Sequence, residues 1–268
     1  MNTGMFSLSL ALGFTGGLLR ACQGAYKDSP YEPFQSSKFI RSLIFGSIGG
    51  IFWYLFSIVS GLKIPLAVFF PLVVFFDSIV TEMYKRGIRL ENLSKYKMPT
   101  IFHVNGFIIH NRYVRILLIL NIIIFLILLY PLSQVIVDKV PLFFQHRPIL
   151  GLFFGFIAGV LAASGGASLD SAWEGFEYSK FLRSVYVAMF WGLILTFYTT
   201  NPGLIIYACF GLDRMSIEFN KTFVKKLKSG KFKATHPTIP HWLDLREKLL
   251  HPYLFAWAIY IFLLASHY

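Results

Sequence analysis

Apolar runs separated by short polar segments dominate the pattern of this chain. Eight runs approach or reach the length at which a helix crosses a ~30 Å hydrocarbon core. Turn residues divide neighbouring runs, as at Ser60-Gly61 and at Asn201-Pro202-Gly203. The pattern predicts an all-α polytopic membrane protein with about eight transmembrane helices, at roughly residues 5–26, 43–60, 64–82, 113–137, 148–168, 184–200, 202–218 and 250–266.

The chain also contains an internal duplication. Residues 13–42 align without a gap onto residues 155–184, with sixteen identities in thirty positions at a constant offset of 142. These identities are Gly13/Gly155, Phe14/Phe156, Gly17/Gly159, Leu19/Leu161, Ala21/Ala163, Gly24/Gly166, Ala25/Ala167, Asp28/Asp170, Ser29/Ser171, Glu32/Glu174, Phe34/Phe176, Ser37/Ser179, Lys38/Lys180, Phe39/Phe181, Arg41/Arg183 and Ser42/Ser184. Weaker matches follow, which are Asp77/Asp213, Glu82/Glu218 and Lys85/Lys221 at offset 136, and Pro99/Pro237 and His103/His241 at offset 138.

The duplication predicts how the helices are organised. It divides one integrated membrane domain into two four-helix repeats, residues 1–140 and 141–268. Because four is an even number, both repeats enter the membrane in the same orientation. We therefore expect parallel repeats related by a pseudo-twofold axis along the membrane normal.

Composition and charge place the protein in the membrane and orient it there. The chain is 56% apolar and only 14% charged, which excludes an ordinary soluble globule. Apart from Lys63, Lys139 and Arg147, all 25 basic residues lie on or beside the loops that follow the first, third, fifth and seventh runs. The positive-inside rule makes those loops cytoplasmic and puts both termini on the other side. Nothing beyond the net charge of +12 favours nucleic acid as a partner.

Acidic residues are scarce, and eight of the thirteen lie at four duplicated positions. Two of these positions are four residues apart in each copy, so on a helix both carboxylates face the same way, although two prolines argue against a continuous helix in the first copy. Carboxylates suit Mg²⁺ together with phosphate oxygens, and Lys and Arg suit the phosphates themselves. The residues expected to bind a metal and to act in catalysis are Asp28, Glu32, Asp170 and Glu174. The basic residues expected to bind the substrate are Lys38, Arg41, Lys180, Arg183, Lys85 and Lys221. The substrate site is also expected to include four acids that orient the basic groups or act as a base, namely Asp77, Glu82, Asp213 and Glu218.

One resemblance to a known family follows from this plan. Two four-helix units, each with an acidic motif on a cytoplasmic loop, are similar in arrangement to the UbiA-type prenyltransferases, which bind prenyl diphosphate through Mg²⁺. The resemblance covers the arrangement alone. The NDxxD pattern of that family is missing, since Lys27 precedes Asp28 and Glu32 stands at the fourth place after it.

Three functions remain open at this point. The first hypothesis is a transferase that acts on a phosphate-bearing lipid or isoprenoid, with membrane lipids and an anionic small molecule as partners. The second is a transporter or channel for an anion or lipid, with the same charges forming a cytoplasmic vestibule. The third is a non-catalytic membrane subunit whose charges lock helices together or dock partners. The absence of a charge near the middle of any run disfavours ion-coupled transport.

Overall fold

The computed structural model describes most of the 268 residues, namely 3–89, 97, 101–104, 107–139, 141, 146–227, 233 and 246–266. Pro99, Pro237 and His241, which belong to the weaker matches between the two halves, lie outside these residues.

The described chain is almost entirely helical. Its eight α-helices are α1 (Thr3–Asp28), α2 (Ser36–Ser60), α3 (Leu66–Met83), α4 (Arg112–Lys139), α5 (Arg147–Glu174), α6 (Tyr178–Leu195), α7 (Pro202–Phe219) and α8 (Leu250–Ala265). Helices α3 and α7 continue directly into single π-helical turns, Tyr84–Ile88 and Asn220–Val224. A 3₁₀ turn, Glu247–Leu249, precedes α8, and a two-stranded antiparallel ribbon, β1 (His103–Val104) with β2 (Phe107–Ile108), precedes α4.

Local sequence explains where several helices begin and end. Gly61 ends α2 in the left-handed conformation, with φ of 69°, and its N–H bonds to the Ile58 carbonyl. The Asn201 side chain accepts a hydrogen bond from the Leu204 N–H at 3.1 Å, which caps α7. Pro202 is the first residue of α7, a position at which the missing N–H of proline costs no hydrogen bond within the helix.

Within the residues that the structure describes, six helices are long and apolar enough to cross a membrane. They are α1, α2, α3 with its π-helical turn, α4, most of α5, and α8 with the 3₁₀ turn before it. Helix α4 shows the expected surface, because Leu117, Ile124 and Ile127 on it are exposed although they are apolar. The chain is therefore a multi-pass membrane protein. The remaining helices, α6 and α7, have 18 residues each and carry several charges.

The helices belong to two compact units. Unit 1 contains α1, α2, α3 as far as Thr81, the last turns of α7 from Arg214, and α8. Unit 2 contains α4, α5, α6 and the first part of α7, as far as Asp213. Helix α3 forms the centre of unit 1, where Phe70 and Leu72 are fully buried.

Glycines bring the first two helices of unit 1 into backbone contact. A Cβ atom on Gly13 would lie 2.7 Å from the Gly46 carbonyl oxygen, and one on Gly17 would collide with the Ser42 carbonyl. Close approach through small residues is a common way for helices to associate where lipid removes the hydrophobic driving force.

Helices α5 and α6 of unit 2 meet in the same way. A Cβ atom on Gly155 would lie 2.6 Å from the Ala188 carbonyl oxygen, and one on Gly159 would lie 3.1 Å from the Ser184 carbonyl oxygen. The contacting positions in unit 2 are those of unit 1 shifted by 142 residues.

Candidate functional site

In the first copy, the acidic positions that sequence assigns to a metal lie where α1 gives way to α2. Asp28 is the last residue of α1, since the segment with Pro30 and Pro33 does not continue the helix. Glu32 lies in the turn beyond it and is buried at 6% exposure. Its carboxylate accepts a hydrogen bond from Lys38 Nζ at 2.5 Å, which forms an ion pair.

In the second copy, the helix that carries the two acids is longer. Helix α5 runs on to Glu174, so Asp170 and Glu174 are one turn apart on it. Lys180 Nζ lies 2.9 Å from the Glu174 carboxylate and 2.7 Å from that of Glu177. Hydrogen bonds to Glu177 and then Glu174 raise the pKa of Lys180, so it stays charged.

Both copies therefore hold the same lysine with the same glutamate. Aromatic ring pairs recur at the same places, with centroids 5.3 Å apart for Phe34 and Phe39 and 5.6 Å for Phe176 and Phe181. The glutamates expected to bind metal thus neutralise the lysines expected to bind phosphate. Among the described residues, no three His, Cys, Asp or Glu side chains are close enough together to hold a metal ion.

An arginine follows each lysine by one helical turn. Arg41 lies on α2 and Arg183 on α6, each three residues after its lysine. In the described part of the chain, the buried Nε atom of Arg183 has no hydrogen-bond partner. Each helix start thus presents one paired lysine and one arginine.

Unit 1 contains a buried polar network that the sequence analysis did not predict. Arg20 Nε lies 3.4 Å from Asp77 Oδ2, and Arg20 Nη1 donates to Gln23 Oε1 at 2.7 Å. Gln23 Nε2 donates to Glu218 Oε2 at 2.9 Å, and Lys27 Nζ donates to the same oxygen at 3.0 Å. Asp77 and Glu218 are 0% and 7% exposed. Two duplicated acids, one from each half of the sequence, are therefore held by polar residues of α1.

The signal for that network was present in the sequence. Arg20, Gln23 and Lys27 recur at spacings of three and four within an apolar run, which places them on one face of α1. The second repeat has Ala162, Gly165 and Leu169 at the corresponding positions, so a search for duplicated charges passes over them.

The duplicated acids of unit 2 have different surroundings. Glu82 accepts hydrogen bonds from Arg86, at 3.1 and 3.0 Å, and from Lys85 at 3.3 Å. Asp213 is 3% exposed within α7. The next residue, Arg214, belongs to unit 1, where its Nη1 atom lies 4.0 Å from Glu218 Oε1. Lys221 lies on the π-helical turn that follows Glu218.

His103 is a further buried titratable group of unit 2. It lies on β1 at 9% exposure. Burial, followed by the positive charge of Arg86, lowers the pKa of His103 below its usual value of 6.5, and Asp170 partly opposes both. This histidine is therefore held neutral near physiological pH.

A second cluster lies beside the end of α1. Tyr26 donates a hydrogen bond to Glu247 at 2.9 Å, and Lys226 Nζ lies 3.3 Å from the same carboxylate. The Arg246 guanidinium stacks 4.7 Å from the centre of the Tyr26 ring. These contacts join the segment before α8 to α1.

Comparison with protein-family models, with curated proteins and with solved structures finds no match to this chain. Its function must therefore be argued from the residues and their geometry.

Proposed function

We propose that the chain is a duplicated four-helix unit that crosses the membrane eight times in parallel orientation. Element boundaries support the duplication. Helix α3 with its π-helical turn spans 66–88, and α7 with its turn spans 202–224, which is the same interval shifted by 136. Helices α2 and α6 begin 142 residues apart, and α4 and α8 begin 138 apart. The positive-inside rule makes the loops after α1, α3, α5 and α7 cytoplasmic.

We further propose that this protein is a transferase that acts on a phosphate-bearing lipid or isoprenoid. One observation carries the proposal, namely the repeated acid and base pair, Glu32 with Lys38 and Glu174 with Lys180, followed by an arginine one turn later. An incoming phosphate competes with the carboxylate for the lysine and gains the arginine as a second donor. The lipid tail then lies along the apolar helices.

The carboxylates released in this exchange fit a divalent cation. Asp28 and Glu32 in unit 1, and Asp170 and Glu174 in unit 2, provide two carboxylates in each unit, and Mg²⁺ prefers one or two carboxylates together with phosphate oxygens. Bound Mg²⁺ would supply charge neutralisation for a leaving diphosphate. The residues of the chain itself bind and orient the phosphate: Lys38 and Lys180 as point charges, and Arg41 and Arg183 through their planar donor groups. Arg20 and Lys27 are held in place by Asp77 and Glu218.

Native mass spectrometry of the purified protein, with lipid extraction and metal analysis, tests this proposal. We expect wild type to retain a phosphate-bearing lipid and a divalent ion, and expect an Asp28→Asn/Asp170→Asn variant to lose the ion. A Lys38→Gln/Lys180→Gln variant should lose the lipid and turnover, whereas Lys63→Gln, away from the site, should lose neither. Full lipid retention and turnover in both double variants would refute the proposal.

Transport is a second candidate, and the ion pair between the partly buried Arg20 and the buried Asp77 favours it. Ionisable groups buried within transmembrane helices commonly mark a substrate or ion pathway. The test is solute or lipid flux in proteoliposomes of wild type and of an Arg20→Gln variant. Flux without any chemical change of the solute, reduced in the variant, would favour transport over transfer.

A further inference from the structure

Arg115 is a buried arginine in the first turn of α4. It is 5% exposed, whereas its neighbours Arg112 and Tyr113 are exposed. Its Nε atom is buried without a hydrogen-bond partner, and no acid among the described residues forms an ion pair with it. The N–H groups of Tyr113 and Val114 are already bonded to the Asn111 side chain, and the N–H of Arg115 donates to the Asn111 carbonyl.

An arginine in this situation needs an anion. The guanidinium keeps its charge at any physiological pH, so it cannot avoid the burial penalty by losing a proton. A buried charge without a partner is strongly unfavourable, because its hydration is lost and nothing replaces it. The partly buried Arg20 has such a partner in the buried carboxylate of Asp77.

Comparison of the two proposed repeats supports an external anion. At offset 138, Arg115 corresponds to Tyr253, which is fully buried and donates its hydroxyl hydrogen to the Met215 carbonyl at 3.4 Å. At offset 142, Arg20 corresponds to Ala162, which is also buried. The arginine in this region is thus supplied by α1 in unit 1, where Arg20 is partly buried, and by α4 in unit 2, where Arg115 is buried. Only the arginine of unit 1 has an internal acid among the described residues.

The π-helical turn beside α4 carries a second arginine, Arg86, which is already paired with Glu82. Helix α4 packs against the π-helical turn at Gly87, where a Cβ atom would collide with the Ile119 side chain. Arg86, next to Gly87 in that turn, lowers the pKa of His103 through its charge. A planar guanidinium suits phosphate oxygens, and the first turn of a membrane-spanning helix lies at the depth of lipid phosphates.

We propose that Arg115 binds the phosphate of an anionic ligand in unit 2. The ligand is either a lipid headgroup or a free phosphate or diphosphate, and both offer the same oxygens to the guanidinium. This inference rests on the proposed function for the ligand class, but it uses residues outside the lysine and arginine positions of α2 and α6.

The test uses the full-length purified protein and two probes. One probe is inorganic diphosphate, followed by its effect on the unfolding temperature in detergent. The other is phosphatidic acid in phosphatidylcholine nanodiscs, followed by native mass spectrometry. We expect Arg115→Gln to weaken binding by about tenfold or more, the loss of a charged hydrogen bond. Arg112→Gln, the exposed control on the same helix turn, should change it by less than about twofold.

Stability without any anion separates a ligand-binding arginine from a structural one. Removing an unpaired buried charge should leave the anion-free protein as stable as wild type or more so. A lower unfolding temperature for anion-free Arg115→Gln would overturn the proposal, as would unchanged affinity for both probes. If Arg115→Gln does not fold, Arg115→Lys is tested in its place, and unchanged binding of both probes by that variant would overturn the proposal. Failure of wild type to bind either probe would also overturn it.

The two probes and a second variant complete the interpretation. An Arg115-dependent response to diphosphate alone identifies a soluble anion, and one to phosphatidic acid alone identifies a lipid headgroup; each supports the proposal. If Arg115→Gln weakens binding while Lys38→Gln/Lys180→Gln does not, this inference stands and the proposed substrate site fails. The reverse result overturns this inference and leaves the proposed function in place.

Discussion

Lys27 and Glu218 are 191 residues apart in the sequence, yet Lys27 Nζ lies 3.0 Å from Glu218 Oε2. The same oxygen accepts a hydrogen bond from Gln23 at 2.9 Å. Lys27 is partly exposed, whereas Glu218 is nearly buried. The pair therefore ties α1 to the end of α7 within unit 1.

Replacing Glu218 should destabilise unit 1. Glu218→Gln leaves Lys27 with no carboxylate at this position, and we expect a loss of about 2–4 kcal/mol in the free energy of unfolding. The Lys27→Met/Glu218→Gln double variant should lose less than the sum of the single losses, because Lys27 then carries no charge. Chemical unfolding of the purified protein measures both effects. Glu177→Gln is the exposed control, and strict additivity in the cycle would show that the pair does not contribute.

The glycine contacts predict opposite effects for the same substitution at different positions. Gly13→Ala and Gly155→Ala put a methyl group against a carbonyl of the neighbouring helix, so we expect each to lower stability by about 1–3 kcal/mol. Gly24→Ala and Gly166→Ala meet nothing within 4 Å and lie within helices, where alanine is favoured by about 0.5–1 kcal/mol. Unfolding temperatures of the four variants check this. Equal effects at all four positions would contradict the helix contacts described above.

Stability should fall in mild acid because of His103. Its folded pKa is below the value of 6.5 that the unfolded chain has, so the unfolded state binds more protons between those two values. The stabilisation is present above pH 6.5 and is lost as the pH falls toward the lowered pKa. His103→Gln should flatten this part of the stability curve, whereas His251→Gln, at an exposed position of α8, should leave it unchanged. A wild-type curve that is flat or rises toward acid would contradict the assignment.

Cysteine labelling tests the proposed orientation in the membrane. Cys22 and Cys209 are both 0% exposed, so the folded wild type should react slowly with a membrane-impermeant maleimide. Lys63→Cys and Lys226→Cys create exposed thiols on loops that we assign to opposite sides. In sealed, oriented vesicles we expect only one of the two variants to be labelled from outside. Labelling of both from the same side would contradict the eight-span topology.

The acid and base pairs show where sequence reasoning stopped. Sequence alone assigned Glu32 to a metal and Lys38 to phosphate, because duplicated carboxylates and duplicated bases suggest separate tasks. The two residues pair across the turn between α1 and α2, at a separation of six residues that is not a helical contact spacing. Their meeting depends on where α1 ends and on the path of the turn. The roles as metal and phosphate ligands remain predictions.

Hydropathy was readable from the sequence because it depends only on the order of residues along the chain. The prediction of an all-α, multi-pass membrane protein is confirmed by six helices of sufficient length and apolarity, since a lipid core demands unbroken apolar runs whatever their neighbours. The sixteen identities at offset 142 are likewise a property of residue order, and the four-helix repeat inferred from them remains a prediction. Tertiary structure alone decided that Asp77 meets Arg20, that Glu218 meets Lys27, and that Arg115 is buried. Those outcomes depend on how helices pack and rotate against one another, and residues far apart in the chain determine that packing.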